Sequence, residues 1–276
     1  MNTSNKKIAY DFIVVGAGGT GSYFLKEFAR YLSSSTEMIR LISHVSVVDG
    51  DTIEEKNLSR QCYFEDEIGS NKSIAFCQMV KESFGLDFTA WPQYLNTVQE
   101  LTDIIQYGSS DITNRPGFSS YTVVPVLLAC VDNVPARDIL RAKYDSLNYV
   151  YFLDAGNGYR NGQCFYACKM DGIEISPDIR FYGFSYEEEE ESRSAVSCTQ
   201  LNLAKPQHIL TNMMSASCLL RASILLMETG KVSRGITTFD AFSGILETEP
   251  PEKYGFTINA PSAINVAYPR KGKEEL

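Results

Sequence analysis

FIVVGAGGTG, residues 12–21, is the stretch on which the fold turns. Four apolar residues run directly into a glycine-rich turn, and residues 22–32 then carry a helical pattern. A strand buried on both faces, as in a parallel sheet, has this continuous apolar character. Gly16, Gly18, Gly19 and Gly21 let the backbone approach a phosphate closely. The helix start supplies free N–H groups and the positive end of the helix dipole. The stretch therefore predicts strand, phosphate cradle and helix.

The same grammar repeats downstream. HVSVVD, residues 44–49, reads as a second strand ending in Asp49, and Asp51 follows. Residues 70–84 have helical spacing, with Ile74, Cys77, Val80, Lys81 and Phe84 as the candidate face. Residues 86–95 form a candidate strand that Pro92 weakens, and 97–107 a helix. Residues 108–120, rich in Ser, Gly, Asn and Pro, read as a surface loop. Residues 126–131 are the next apolar strand, and Pro135 suits the first turn of the helix after it. Strand returns at 149–154. Alternating strands and helices imply a doubly wound, mainly parallel, Rossmann-like α/β sheet that binds ligand at the carboxyl ends of its strands.

After Gly158 the pattern changes. Residues 163–170 predict an antiparallel strand, 207–229 a buried helix, 232–242 a further strand, and the tail from Pro250 is irregular. The expectation is one compact domain over 1–276, with a nucleotide-binding core at 8–158 and an antiparallel extension over 159–276. A mobile insert is expected near 183–200, and its acidic run YEEEEES reads as a solvated loop.

Bulk composition narrows the function. With 276 residues the chain can bury a sizeable core, and a net charge of −9 argues against a nucleic-acid partner. No apolar run approaches the roughly 20 residues of a membrane span, and MNTSNKKIAYD lacks the apolar centre of a signal peptide. Seven cysteines, an odd number, point to reduced thiols and a cytoplasmic setting.

The glycine turn and Asp49 leave NAD and ATP both open. Gly16, Gly18 and Gly21 satisfy G-x-G-x-x-G, and Asp49 stands ready for ribose hydroxyls. Asp49 lies 28 residues beyond Gly21, later than the roughly 20 of dinucleotide folds, although a serine-rich linker could absorb the excess. Three further features favour ATP. Asn57 and Arg60 lie in NLSRQ, Lys72 lies in IGSNKS, and Asp132-Asn133 ends the fourth strand with Arg137 one turn on. Cations near a phosphate cradle neutralise triphosphate charge, and a strand-end aspartate can hold Mg²⁺ beside it. Asn133 also suits the N-cap before Pro135, and both roles can coexist.

The ordered set VVGAGGTGS, VVDGDTIEEKNLSRQ, IGSNKS and CVDNVPAR resembles the ThiF/MoeB/HesA group of ubiquitin-activating-enzyme-like proteins, over about residues 11–158. Within it the chain is most similar to compact bacterial members, including those encoded with PRTRC systems. The resemblance implies a ThiF-like adenylation domain, Mg-ATP as cofactor, and adenylation of the C-terminal carboxylate of a small ubiquitin-like or sulfur-carrier protein ending in Gly-Gly. It implies ribose binding at Asp49, with Asp51 beside it, phosphate contacts at Asn57, Arg60 and Lys72, and Mg²⁺ at Asp132 next to Asn133. It also implies a homodimer. The arginine that many relatives carry ahead of the glycine turn has no counterpart here, where only Lys6 and Lys7 stand.

Relatives often pass the acyl group to a thiol. Cys198, in SCTQLNLAKPQHI, is the candidate, and His208 either lowers its pKa or starts the next helix. Zinc is the weaker expectation: Cys164 and Cys168 share one strand face, and no second C-x-x-C-like pair accompanies them. Cys62, Cys77 and Cys130 read as small core residues. The alternatives are an NAD-dependent oxidoreductase, and a non-catalytic scaffold that binds nucleotide or a partner.

Overall fold

The computed structural model describes residues 7–113, 121–183 and 207–258. The chain opens with β1 (Lys7–Val15), α1 (Gly19–Ser33), a short α2 (Thr36–Ile39) and β2 (Ile42–Val48). Next come α3 (Lys72–Phe84), β3 (Thr89–Trp91), α4 (Val98–Thr113), β4 (Tyr121–Ala129), α5 (Val134–Ser146) and β5 (Val150–Asn157). The extension contributes β6 (Asn161–Met170), β7 (Ile173–Ser176), α6 (Ile209–Thr229), β8 (Gly235–Asp240) and β9 (Ile245–Glu249).

These strands form one sheet in the order β3-β2-β1-β4-β5-β6-β8-β9, with β7 also on β6. β1 to β5 pair in parallel, and every pairing beyond β5 is antiparallel. The chain leaves β1 toward β2 and β3, then returns to β4 on the other side of β1. That reversal is the topological switch point where such sheets bind ligands. Register fixes what meets there: Val15 pairs with Val48 on one side and Ala129 on the other. Gly16, Asp49 and Cys130 therefore emerge level with one another.

The apolar run of β1 is buried because both faces are covered. Phe12 and Val14 join a core with Phe24, Phe28 and Leu219, while Ile13 and Val15 join a second with Leu101, Ile104 and Leu140. Phe12 and Phe28 rings lie 4.6 Å apart, and Phe24 stacks on Phe28 at 5.3 Å. Each such aromatic side chain contributes about 2 to 3 kcal/mol by leaving water.

Four expectations need correction. α3 buries Cys77 and Val80 and packs Phe84 on the core as expected, but its inner face also takes Lys72, Ser73 and Phe76, while Ile74 is exposed and Lys81 points to solvent beside Asp87. The cause is the N-cap. Asn71 Oδ1 accepts from Ser73 and Ile74 N–H, while Nδ2 donates to the carbonyls of Asp49 and Asp51, which sets the helix rotation. Helix α4 continues through Gly108 to Thr113, so 108–113 are helix where a loop was expected, and the rest of that stretch lies outside the described residues. A Cβ at Gly108 would lie 2.5 Å from Asp11 Oδ2, so the glycine serves close packing there instead of breaking the helix. The last strand is shorter than expected and pairs with β9, which sequence patterning did not single out. Finally, α6 is by length and composition apolar enough to cross a membrane, contrary to the expectation that no run comes near that length. Half of its most apolar window is buried, and it packs on α1, β5 and β6 with Thr211 and Asn212 wholly enclosed. It is the covering helix of the sheet. The insert near 183–200 and the YEEEEES run lie in residues 184–206, outside the described residues.

Candidate nucleotide site

The four glycines are not equivalent: three are required by close contacts, and Gly18 is not. Gly16 sits at φ +96°, and a Cβ there would lie 2.6 Å from the Cys130 carbonyl oxygen. A Cβ at Gly21 would lie 1.9 Å from the Gly16 carbonyl oxygen, so the turn closes on the helix only without a side chain. A Cβ at Gly19 would lie 2.3 Å from Asn212 Nδ2. Gly18 meets nothing nearer than Gln61 at 3.7 Å, which is ordinary contact.

Asp49 locks the turn to β2. The N–H of Ala17 donates to its Oδ2 at 2.6 Å, and the N–H of Asp51 donates to its Oδ1 at 2.8 Å. Burial holds the Asp49 pKa above the ordinary aspartate value, against the opposing pull of these two amides and the Lys72 charge. The carboxylate thus orders the cradle and keeps further lone pairs for another donor. Next to it, Asp51 accepts from Lys72 Nζ at 2.8 Å and from Tyr94 OH at 2.7 Å. Burial raises the Asp51 pKa, but the Lys72 and Tyr94 hydrogen bonds outweigh it and leave the group below the ordinary aspartate range. Lys72 is buried, and its partner in this structure is Asp51.

The segment 57–63 lies against the start of α1. Tyr63 OH donates to the Ala17 carbonyl at 2.6 Å, and Cys62 N–H donates to Ser22 Oγ at 3.1 Å. Asn57 is buried, and its Oδ1 accepts from Glu54 N–H at 2.9 Å, which closes the short turn that precedes Arg60. Arg60 is half-buried, and its guanidinium has no side-chain partner among the described residues. Beneath it, Asn212 from α6 donates to the Arg60 carbonyl at 3.3 Å.

Asp132 and Asn133 follow β4 and divide the work. Asn133 caps α5, its Oδ1 accepting from Ala136 N–H at 3.0 Å. Asp132 is exposed, and its carboxylate has no side-chain partner among the described residues. A free carboxylate at a strand end is the hard oxygen donor that Mg²⁺ prefers, so the residue fits that ion. Arg137 does not join the expected cation set. It is buried, pairs with Asp154 on β5, and donates to the Val131 and Ala155 carbonyls at 2.6 and 2.9 Å. Burying a charge without a partner costs several kcal/mol, so Arg137 is committed to the fold.

Of the sequence-derived set, Gly16, Gly18, Gly19, Gly21, Asp49, Asp51, Asn57, Arg60 and Lys72 converge at the switch point, with Asp132 and Asn133 on the loop after β4. Cys198 lies outside the described residues. His208 caps α6, its Nδ1 accepting from Leu210 N–H at 3.2 Å, which is the structural alternative expected for it. Cys77 is buried and its thiol is pushed up to about 12 by desolvation, whereas Cys62 and Cys130 are only half-buried. Sequence reasoning missed Asn71, Tyr63, Asn157 and Asn212. Asn71 stood inside IGSNKS as a helix N-cap signal. Asn212 stood as an amide inside an otherwise charge-free helix.

The ThiF family model matches residues 5–253. No curated protein matches the sequence. Among solved structures, the fold is similar to PaaA, with a TM-score of 0.61 and 12% identity over 88% of this chain and 72% of that one. It is likewise similar to E. coli MccB in a structure with succinimide (TM-score 0.61, 14% identity, 88% of this chain) and in one with ATP (0.58, 14%, 89%). The chain spans 63% of the length of MccB in the first and 65% in the second.

Proposed function

This chain belongs to the ThiF family, and on that premise we propose that it is an adenylyltransferase that uses ATP to activate a C-terminal carboxylate. The observation that carries the reading is the convergence, at one switch point, of a glycine cradle, an aspartate bonded to the cradle backbone, and two cationic residues. The solution of E. coli MccB with ATP supports the choice of nucleotide. A nicotinamide site has no need of Arg60, Lys72 and a metal-ready Asp132 together.

In this reading Asp49 takes the ribose hydroxyls through its remaining lone pairs. Asn57, Arg60 and Lys72 meet the phosphates, and Asp51 is the counter-ion that holds Lys72 until nucleotide arrives. Asp132, with Asn133 beside it, holds Mg²⁺, which when bound neutralises phosphate charge. The acceptor carboxylate oxygen attacks the α-phosphorus, the bond to the β-phosphate oxygen breaks, and pyrophosphate leaves with that electron pair. No protein nucleophile takes part; positioning and charge neutralisation lower the barrier.

The acceptor we favour is a small ubiquitin-like or sulfur-carrier protein ending in Gly-Gly. A structure of MccB, the microcin C7 biosynthetic enzyme, in complex with N-formylated MccA supports a polypeptide acceptor in general. A second step, attack of the Cys198 thiolate on the acyl-adenylate with loss of AMP, would give a thioester. ATP–pyrophosphate exchange with candidate Gly-Gly proteins, including one encoded beside this gene, tests the first step. Exchange that depends on one candidate supports the reading; ATP binding without exchange for any of them favours the scaffold. A reducible acyl adduct in intact-protein mass spectra that survives Cys198→Ser removes the thiol from the reaction.

A further inference from the structure

A polar layer lies directly under the cradle. Thr20 Oγ1 donates to Asn157 Oδ1 at 3.2 Å, and Asn157 Nδ2 donates to Asn212 Oδ1 at 2.8 Å. Asn212 Nδ2 donates in turn to the Arg60 carbonyl at 3.3 Å. That same nitrogen is the atom against which Gly19 packs. One fully buried amide, on a helix 152 residues downstream of the residue it holds, touches both the cradle and the backbone of Arg60.

The rest of the loop is fixed from its other side. Arg60 N–H and Gln61 N–H both donate to the Asn57 carbonyl, at 3.0 and 2.9 Å. Cys62 and Tyr63 are tied to α1 as described. Arg60 therefore has its N–H anchored within its own turn and its carbonyl anchored only by Asn212 among the described residues. Asn157 serves only the oxygen of the Asn212 amide; its nitrogen is spent on the Arg60 carbonyl.

We propose that Asn212 is a positioning residue of the adenylation site: it fixes the Arg60 backbone against the glycine cradle, so that the guanidinium is presented to the phosphates of ATP. This rests on the ATP reading given above. The prediction is specific, because the effect of Asn212 must pass through Arg60.

Equilibrium titration of the full chain with Mg-ATP, for the wild type, Arg60→Ala, Asn212→Ala and the double variant, tests it. Asn212→Ala is expected to weaken ATP binding roughly five- to tenfold, the loss of one well-placed hydrogen bond and the order it imposes. The double variant is expected to bind no more weakly than Arg60→Ala alone. Asn212→Ser, which keeps a hydroxyl near Asn157 but cannot span to Arg60, guards against loss of fold and should reproduce the alanine result. Multiplicative losses in the double variant overturn the inference, as does wild-type ATP affinity in a folded Asn212 variant. A wild type that binds no ATP overturns the parent reading, and this inference with it.

Discussion

Lys72 Nζ stands 2.8 Å from Asp51 Oδ2, with 7% of the lysine side chain exposed and 47% of the aspartate. The lysine is thus enclosed while its counter-ion remains half in water, the arrangement of a cation that can trade one anion for another. Lys72→Ala is expected to weaken ATP binding roughly 10- to 100-fold, the range for a hydrogen bond to a charged group. Lys72→Arg should not restore it, since a fork-shaped guanidinium does not fit the slot of a compact ammonium. Titration with Mg-ATP checks both. Because the Asp51 pKa is lowered in the fold, its contribution to stability is present above the unfolded value near 3.9 and is lost as pH falls through the folded value. Half-exposure keeps that contribution below about 1 kcal/mol.

The glycines of the cradle should separate in a stability assay. Gly16→Ala and Gly21→Ala are each expected to lower unfolding free energy by about 2 to 4 kcal/mol, since a positive φ or a backbone clash cannot be relieved by side-chain motion. Gly18→Ala has 3.7 Å to its nearest neighbour and should unfold like the wild type. Urea midpoints decide the ranking, and equal losses at all three sites would contradict it.

This separation shows what the sequence could and could not convey. The cradle and β1 were legible because a strand buried on both faces must be apolar throughout, and a phosphate turn must be glycine-rich. Which glycine carries strain was less so: Gly16 meets Cys130 and Gly19 meets Asn212, both remote in sequence, and only Gly21 meets a near neighbour, the Gly16 carbonyl. Arg137 stood one turn beyond Asp132 among the features favouring ATP, while its partner Asp154 lies on a different strand. Gly108 read as a helix end for the same reason: Asp11, which it packs against, belongs to β1. Local pattern reported the elements, and long-range contacts reassigned individual residues within them.

The Arg137–Asp154 pair should behave as a structural element. Arg137→Ala leaves a buried carboxylate and is expected to cost about 3 to 5 kcal/mol. Replacing both partners by apolar residues, Arg137→Met with Asp154→Leu, should recover most of that loss. Chemical denaturation of the single and double variants measures the coupling. Failure of the double variant to regain stability would mean that the pair has a role beyond mutual charge compensation.

Asp11 should make stability fall with rising pH. It is fully buried on β1, and neither carboxyl oxygen has a hydrogen-bond partner among the described residues. Burial raises its pKa well above the ordinary value. A group raised in the fold contributes stability that is complete below the unfolded pKa near 3.9 and is lost as pH rises toward the folded value. Asp11→Asn, of equal size under the close approach of Gly108, is therefore expected to be more stable than the wild type at pH 8, by about 1 to 3 kcal/mol. The advantage should shrink toward pH 4. Thermal midpoints across that range provide the check, and parallel curves for the two proteins would refute it.

Asp132 and Asn133 are adjacent, yet the structure predicts opposite phenotypes. Asn133→Ala removes the cap of α5 and should lower stability by about 1 kcal/mol. It leaves the Asp132 carboxylate in place, so exchange activity measured well below the melting temperature should persist. Asp132 is exposed and makes no side-chain bond among the described residues, so Asp132→Ala should leave stability within about 0.5 kcal/mol of the wild type. If Asp132 holds the metal beside the triphosphate, the same variant should lose most pyrophosphate exchange, and the loss should shrink as Mg²⁺ is raised. Paired measurements of melting and Mg²⁺-dependent exchange distinguish the two residues. A destabilised Asp132→Ala with normal Mg²⁺ dependence would return the residue to a structural role and leave the metal without a ligand on this loop.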